Sequence, residues 1–559
     1  MRHRLWALAL ACAVSLAGCA AIPTSGPIQT GDVALNDPGP PIPVAMEPPR
    51  DGTPETIVYG FLAASAAGLS DQFVGARKYL TYQAASTWVP TSQLLVYPST
   101  GKLTVDPESD GKVVVRVPVQ GSLDDAGVYT EAPPGGEQEL AMELTQNVDG
   151  QWRISSLQNV VVMSSIDFTT YYRQVPVYFA SKDATHLVPD VRWVPASGAA
   201  SAAARALLAG PSPWLRDAVV SGAPEGTRLG SAGVEIGADQ TATVDLSAAA
   251  GTANADQRNL LIAQLTATLS GLPAVVSSVE VSAGGGKPWE ATGRTDMVRN
   301  PEPDTGPYVI AGNALQVLDG DKLTPVEGVA PLPVGAADPA LSQDGEVRVV
   351  VVDGTRLLRL PADGSPPVQI LAGPNLLSPS IDRFDWIWTA RSDQPGLVAV
   401  SASGDAVPVS ADWLAGSQVI SIAVARSGSR IAVVHQGDDG RPVIDVAAIL
   451  RDGSGRPQRL GPTFQVGQSM NGASQVEWMD ESTLAVLGLS GSLVVPTTHM
   501  VPVGGQTDPL PLVDGTVTIA AGRGARALYL ADSDGQLLWR QGAAWVPVAS
   551  GVQDPVFPG

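Results

Sequence analysis

The sequence predicts a multidomain protein in which two small α+β domains are followed by an all-β propeller of about five or six blades. Three observations support this fold class. Residues 53–165 and residues 174–290 each combine helical apolar spacing with alternating strands, a mixture that is typical of α+β domains. From residue 305 to residue 559, short apolar strands recur with tight polar turns between them, as they do in an array of propeller blades.

The first 18 residues have the organisation of a secretory signal. Arg2 and Arg4 precede an apolar run that is shorter than the roughly 20 residues a spanning helix needs. The run ends in Leu-Ala-Gly-Cys at positions 16–19, which closely resembles the bacterial lipobox. The resemblance implies that residues 1–18 are removed as a lipoprotein signal peptide and that Cys19 receives a diacylglycerol and an N-acyl chain such as palmitate. The alternative is a plain signal peptide in which Cys19 is incidental.

Lipidation at Cys19 would fix the location of the whole chain. Several acyl chains together anchor a protein stably, whereas one chain alone binds only marginally. The protein is therefore expected at the cell membrane, lipid-anchored on its extracytoplasmic face. Residues 19–52 are rich in proline and glycine and predict an extended stalk behind the lipidated cysteine. A polyproline ligand for a partner domain is the alternative interpretation of this segment.

Composition limits the classes of partner. Without the signal, 32 basic residues face 55 acidic ones, a net charge near −23, so nucleic acid and anionic lipid surfaces are poor partners. The second cysteine, Cys12, lies inside the signal, so the mature chain has no disulfide. About 540 mature residues suggest three or four domains.

Helix signals open the first α+β domain, which we place at residues 53–165. Thr53 offers a hydroxyl cap, Pro54 suits the first helical position, and an acidic residue follows at the positive end of the helix dipole. After a break near residues 68–71, helical spacing of three apolar residues predicts a second helix: Ala76, Tyr79 and Leu80.

Strands follow in the same domain. Four valines fall on one strand face, namely Val113, Val115, Val117 and Val119. Two further strands, at residues 140–145 and 152–157, flank a turn. The end of this hairpin, at residues 149–154, is similar to the last hairpin of NTF2-like domains. We therefore expect a sheet that curls around the helices.

The second α+β domain, at residues 174–290, has equally clear signals. Strands are predicted at 175–180 and 187–194, a helix at 199–209, and further strands at 234–236, 241–246 and 275–281. Asn254 and Gln257 have the spacing of a capping box before another helix. The buried face of that helix is marked by four leucines: Leu261, Leu265, Leu269 and Leu272.

The propeller, at residues 305–559, is predicted from repeated strand–turn–strand units. Gly428 and Gly524 occupy corresponding turns 96 residues apart with one copy between them. The period is therefore close to the 40–50 residues of a blade. A pair of irregular β-sandwiches is the alternative.

Catalytic, cofactor and metal motifs are not evident. The mature histidines, His186, His435 and His499, are far apart and have no cysteine or glutamate at ligand spacing. The glycines at 284–286 lack the first glycine and the hydroxyl of a phosphate-binding loop, and the acidic turn at 532–535 is too short for a calcium loop. We interpret both as turns, and we expect no enzyme, no cofactor and no metal.

A family resemblance covers the mature chain. Five segments in order look like a GerMN domain: residues 177–179, 187–189, 205–211 (Arg-Ala-Leu-Leu-Ala-Gly-Pro), 223–227 and 244–247. A lipobox, a stalk, an α+β domain, a GerMN-like domain and a propeller in that order resemble the LpqB lipoproteins of high-GC Gram-positive bacteria. The family has no catalytic motif, so Cys19 is the one residue whose role transfers.

The resemblance implies a function in signalling. It points to binding of the extracytoplasmic domain of a sensor histidine kinase, MtrB in that family, and to modulation of a two-component system that affects envelope homeostasis and cell division. The alternative is a cell-wall sensor module that binds a glycan or muropeptide, with a peptidoglycan fragment as its partner. A cell-wall hydrolase is the least favoured class, because scattered carboxylates usually mean a solvated surface.

Overall fold

The computed structural model describes residues 46–69, 71–272, 276–293, 296–391, 396–491 and 495–559. The predicted signal peptide, Cys19 and the stalk as far as residue 45 lie outside the described residues. The described chain confirms the predicted fold class, with α+β structure first and a propeller after it. Within this part of the chain, no helix is both long enough and apolar enough to cross a bilayer.

The first domain packs its helices against two four-stranded sheets. Its helices are α1 (Pro54–Ala66), α2 (Val74–Arg77) and α3 (Tyr82–Thr87). Its strands are β1 (Gln93–Tyr97), β2 (Thr104–Pro107), β3 (Lys112–Pro118), β4 (Gly121–Asp124), β5 (Tyr129–Glu131), β6 (Glu137–Gln146), β7 (Trp152–Ser156) and β8 (Val161–Ser164). The sheet orders are β5-β4-β1-β8 and β2-β3-β6-β7.

The sequence signals of this domain explain its local structure. The Thr53 hydroxyl accepts a hydrogen bond from the Thr56 amide and so caps α1. Val113, Val115 and Val117 are buried on one face of β3, as the period of two requires. The second predicted helix is only one turn long, because Gln72 and Phe73 have positive φ and Leu80 pairs with Ile154.

The second domain contains two sheets and two longer helices. Helix α4 (Ser165–Tyr171) links it to the first domain, and α5 (Ala199–Ala209) and α6 (Ala255–Ser270) follow. The strands are β9 (Tyr172–Ser181), β10 (Leu187–Pro195), β11 (Val219–Val220), β12 (Leu229–Ile236), β13 (Thr241–Leu246) and β14 (Ser278–Ala283). Asn254 and Gln257 form the predicted capping box of α6.

The propeller has six blades in the described chain, each a four-stranded sheet. Blade 1 contains β15 (Tyr308–Ala311), β16 (Ala314–Asp319), β17 (Lys322–Pro325) and β38 (Val552–Val556). Blade 2 contains β18 (Ala336–Leu341), β19 (Arg348–Val352), β20 (Arg356–Arg359) and β21 (Val368–Ala372). Blade 3 contains β22 (Ser380–Ile381), β23 (Ile387–Ala390), β24 (Leu397–Val400) and β25 (Ala406–Val409).

The other three blades repeat this order of strands. Blade 4 contains β26 (Val419–Val424), β27 (Arg430–Gln436), β28 (Pro442–Arg451) and β29 (Pro457–Val466). Blade 5 contains β30 (Met470–Trp478), β31 (Thr483–Ser490), β32 (Thr497–Pro502) and β33 (Asp508–Pro509). Blade 6 contains β34 (Thr516–Ala521), β35 (Leu528–Asp532), β36 (Gln536–Gln541) and β37 (Ala544–Ser550).

The ring of blades is closed by its last strand. Strand β38 pairs with β15 and becomes the innermost strand of blade 1. The inner strands then contact one another around the axis in the order β38, β18, β22, β26, β30, β34 and back to β38. Closure removes the free sheet edges that an open array would leave.

Polar side chains on the inner strands join successive blades. Five hydrogen bonds run between adjacent blades: from the Asp338 amide to Asp554, from the Ser378 hydroxyl to Asp338, from the Val424 amide to Ser380, from the Val476 amide to Ser421, and from the Ile519 amide to Gln475. Four of these bonds satisfy backbone amides of the inner strands. The Asp338 amide lies at a register shift of β18.

At one end of the axis, Arg426 joins three blades at once. Its guanidinium donates to the carbonyl oxygens of Trp478, Ala521 and Pro558. Burial lowers the pKa of Arg426 to about 10. Burial also raises the pKa of the neighbouring Glu477 to about 7, against the opposing field of Arg426.

Candidate binding cleft between the first two domains

Trp193 of β10 joins all three domains. Its ring packs against Phe168 of α4, with centroids 4.5 Å apart, and against Tyr129 of the first domain at 6.0 Å. Its indole N–H donates to the carbonyl of Gly504 in the propeller at 2.8 Å. Its backbone amide donates to Gly127 O in the first domain at 2.8 Å. One side chain is therefore a common contact of the three units.

Glu131, at the end of β5, fixes the first domain to blade 5. Its carboxylate accepts hydrogen bonds from the Thr507 amide at 2.9 Å, the Thr507 hydroxyl at 2.8 Å and the Ser469 amide at 3.3 Å. The side chain is buried. Charge-assisted bonds of this kind are about twice as strong as neutral ones.

The second domain is held on the propeller by buried charged groups. Arg430 of β27 donates to the carbonyl oxygens of Pro189 and Glu481 and stacks on Trp478. Burial lowers its pKa to about 10. The Glu481 carboxylate accepts from the hydroxyl of Tyr178 on β9. These contacts and those of Glu131 make the three domains one unit, in which a cleft between two domains keeps its shape.

A cleft with a volume of about 680 Å³ lies between the first and second domains. One wall, from the first domain, is mainly apolar and includes Leu69, Phe73 and Leu94, with Thr91 and Gln93 among its polar residues. The other wall is the face of α5 that carries Ala202, Arg205, Ala206 and Ala209, followed by residues 210–213. The volume is in the range of clefts that hold small ligands.

A buried polar network supports the α5 wall. Asp190 and Arg192 of β10 and Ser212 are each no more than 3% exposed. Arg192 donates to Asp190 Oδ2 at 2.8 Å and to Ser212 Oγ at 2.5 Å, and the Ser212 amide and hydroxyl also donate to Asp190. Both carboxylate oxygens are thus paired, and the network fixes the loop that follows α5 against β10.

The rims of this cleft carry charge. Arg205 and Arg216 are exposed on the second-domain side, and in the described chain neither guanidinium has a hydrogen-bond or salt-bridge partner. Asp124 and Asp125 lie on the first-domain side. One oxygen of Asp124 accepts from the Val128 amide at 2.7 Å. The cleft is therefore apolar in its interior and of opposite charge along its two rims.

A second cavity, of about 560 Å³, is lined in part by His435 and Asp445, and His435 also contacts Ser417. His435 Nδ1 lies 2.9 Å from Ser417 Oγ, and His435 Nε2 lies 2.8 Å from Asp445 Oδ2. The Ser417 hydroxyl donates to the Gln436 carbonyl, which also lies 3.1 Å from Nδ1. The Gln436 carbonyl therefore competes with the imidazole for the serine proton, which differs from the arrangement of a catalytic triad.

The other histidines are placed separately. His499 is buried between Thr497 O and Ser490 Oγ, and burial lowers its pKa. His186 contacts the Thr185 hydroxyl at 2.8 Å. Across the residues that the structure describes, no group of three or more His, Cys, Asp or Glu side chains is arranged to hold a metal ion.

The glycine run at 284–286 and the acidic segment at 532–535 lie in turns. Gly284 and Gly285 have positive φ beyond the end of β14, and Gly535 has a φ of 76° in the hairpin between β35 and β36. Cys19, the one site residue that the sequence predicted, is outside the described residues. The cleft itself was not predicted, although Arg205 belongs to the GerMN-like segment at 205–211.

Comparisons with known proteins agree with this domain order. Three family models match one after another along the chain: "Lipoprotein LpqB, N-terminal domain" at residues 47–169, "Sporulation and spore germination" at 176–288, and "Lipoprotein LpqB beta-propeller domain" at 313–558. Among solved structures, TolB from Acinetobacter baumannii has a TM-score of 0.35 at 14% identity, covering 45% of this chain and 66% of its own.

Curated relatives match over the full length. The Lipoprotein LpqB of Streptomyces coelicolor is 30% identical, covering 100% of this chain and 98% of its own. That of Cutibacterium acnes is 29% identical, covering 89% of this chain and 88% of its own. With three domains in the same order and relatives aligned from end to end, the chain belongs to the LpqB lipoprotein family.

Proposed function

We propose that this protein is a lipid-anchored regulator on the extracytoplasmic face of the cell membrane. It binds the external domain of a sensor histidine kinase and modulates two-component signalling that affects envelope homeostasis and cell division. Membership of a lipoprotein family supports the membrane anchor, which requires lipidation at Cys19. The kinase as partner rests on the family resemblance.

The observation that carries the proposal is the junction at Trp193. A regulator changes a kinase only if it binds two conformations of the kinase with different affinity. A fixed arrangement of three domains presents one constant surface, so it can distinguish between two shapes of a partner. The contacts of Trp193, Glu131 and Arg430 supply such an arrangement.

We propose that the protein acts by binding and not by catalysis, with no cofactor. The geometry of Ser417 supports this, since a backbone carbonyl competes with His435 for its proton. Scattered surface carboxylates, such as those of Asp239 and Asp452, are paired with neighbouring amides and hydroxyls in turns, which lowers their pKa and keeps them ionised.

A second candidate function is recognition of a muropeptide or glycan from the cell wall. The 680 Å³ cleft supports it, because a volume of this size accommodates a small ligand. A pull-down of purified peptidoglycan with the full chain separates the candidates. Enrichment over an unrelated lipoprotein would favour the cell-wall ligand, and no enrichment would count against it.

The main test is crosslinking in native membranes. The intact lipoprotein and its Cys19→Ala form are compared, and captured proteins and crosslinked peptides are identified by mass spectrometry. We expect the sensor kinase with the native form and much less with the variant, because tethering raises the effective concentration of the two proteins. Equal membrane retention of both forms would refute the lipid anchor. Capture of cell-wall enzymes without a kinase would refute the proposed partner.

A further inference from the structure

We propose that the cleft between the first two domains is the docking site for an extended peptide segment of the partner's external domain. The segment is mainly apolar and carries a carboxylate that Arg205 and Arg216 bind. This inference rests on the proposed function and assigns a surface to it. It also gives a role to the Arg-Ala-Leu-Leu-Ala-Gly-Pro segment at 205–211, which the fold alone explains only in part.

The shape of α5 supports a closely packed occupant. Leu207 and Ala203 point into the core of the second domain and are fully buried. The neighbouring face of the helix presents the methyl groups of Ala202, Ala206 and Ala209 to the cleft. Small side chains let another backbone approach the helix, and the apolar wall across the cleft supplies contacts for the side chains of that backbone.

The charge on the second-domain rim identifies the chemistry of the occupant. Arg205 and Arg216 are exposed at this rim, and no anionic partner for either guanidinium lies in the described chain. Planar guanidinium groups are well suited to bind a carboxylate. In a protein with an overall charge near −21, two unpaired arginines beside an apolar cleft are complementary to an acidic side chain of the partner.

The opposite rim sets the orientation of the segment. Asp124 and Asp125 would repel a carboxylate, so the acidic side chain of the occupant must face α5. A basic or amide group of the occupant fits the aspartate side. The charges of the two domains together thus determine which way the side chains of the bound segment face.

A peptide is favoured over a glycan by the interior of the cleft. A glycan needs many hydrogen-bonding side chains. The lining includes some, such as Gln93, but most of its residues are apolar, including Leu69 and Phe73. Both oxygens of the Asp190 carboxylate are paired with Arg192 and Ser212, and this network holds the wall. Apolar peptide side chains with one anchoring carboxylate match these surfaces.

The test measures binding of the purified external domain of the sensor kinase to the full chain without its signal. Arg205→Glu with Arg216→Glu reverses the rim charge, and Ala209→Trp fills the cleft from an exposed position at the end of α5. Two matched controls lie outside the cleft, Arg228→Glu and Ala232→Trp, both at exposed sites of the second domain. Unchanged thermal unfolding shows that each variant is folded.

We expect the double charge reversal to weaken binding by about 10- to 30-fold, since attraction at two rim sites becomes repulsion. Ala209→Trp should weaken it at least as much, and the controls should bind like the wild type. Raised salt should weaken wild-type binding more than binding of the charge-reversed form.

The outcomes separate the inference from the proposed function. If the wild type binds and both cleft variants bind equally well, the docking site is wrong and the function stands. If the wild type itself does not bind the kinase domain, the proposed function fails. If a purified muropeptide binds in a manner sensitive to Ala209→Trp, the occupant is a cell-wall ligand and the peptide assignment is overturned.

Discussion

Replacement of Glu131 by alanine should loosen the first domain from the propeller without unfolding either of them. Glu131 is 7% exposed, and its carboxylate is the acceptor for the amides of Ser469 and Thr507 and for the Thr507 hydroxyl. Alanine leaves these three donors without their partner at a buried junction. The first domain has a core of its own, separate from the core that the second domain shares with blades 4 and 5, so neither fold depends on this carboxylate.

The magnitude follows from the donors that lose their acceptor. A hydrogen bond to a charged group contributes about 1.5–3 kcal/mol, and an orphaned buried donor costs about 1–3 kcal/mol. The three bonds share one side chain, and water enters when the junction opens, so the contributions do not add fully. We expect a loss of about 3 kcal/mol in the free energy of opening, which is roughly a 100-fold increase in the open population.

Hydrogen exchange of the Ser469 and Thr507 amides measures this opening directly. The full chain carrying Glu131→Ala should exchange at these two sites about 100-fold faster than the wild type, while amides of the inner propeller strands stay protected. Glu137→Ala, at an exposed position of β6, is the matched control and should change nothing. Unchanged exchange at Ser469 and Thr507 in Glu131→Ala would refute the argument that this carboxylate fixes the domain.

Three further predictions concern stability and chemistry. Burial raises the pKa of Glu477 to about 7, so the folded state retains a proton that the unfolded chain releases above about pH 4.5. The free energy of unfolding should therefore fall by about 2.5 kcal/mol from pH 5 to pH 8 in denaturation experiments, and Glu477→Gln should remove this fall. Arg192→Met leaves the buried Asp190 carboxylate without its cationic partner and should lower the free energy of unfolding in denaturant by about 3–5 kcal/mol. A decrease of less than about 1 kcal/mol would contradict the importance of the buried pair. Ser417→Ala should lower the free energy of unfolding by about 1 kcal/mol, because a hydrogen bond is lost. The wild-type protein should not hydrolyse an activated ester. Hydrolysis by the wild type that is absent from the variant would instead establish Ser417 as a nucleophile.

Local signals in the sequence predicted much of the fold. The bounds of α5 and β13 agree with the predicted 199–209 and 241–246, because each is set by a periodic apolar face and a turn at its end. The capping box at Asn254 and Gln257 specifies the start of α6 through contacts only three residues apart. Such signals need no knowledge of distant parts of the chain.

Tertiary effects account for what the sequence did not predict. The helical spacing at residues 76–80 gives only one turn of helix, because Leu80 forms a bridge with Ile154, which lies 74 positions away. The bonds between blades depend on single polar residues, such as Ser380 and Ser421, that look like ordinary turn or strand residues. The cleft combines residues from 65 to 216, so its opposing charges have no common pattern in the sequence.

The junction and the cleft depend on each other if the protein regulates a kinase. Coupling between two sites is typically 1–3 kcal/mol, equivalent to about a 5- to 150-fold difference in affinity for two states of the partner. A first domain that moved freely would have to be ordered on each binding event, and that cost would consume free energy of the same size. Because Glu131 and Trp193 order the domain beforehand, the differential affinity of the cleft is available for changing the kinase. Glu131→Ala should therefore weaken kinase binding although its carboxylate is not part of the cleft, and a variant that opened the junction yet bound equally well would show that the cleft recognises its partner through one wall alone.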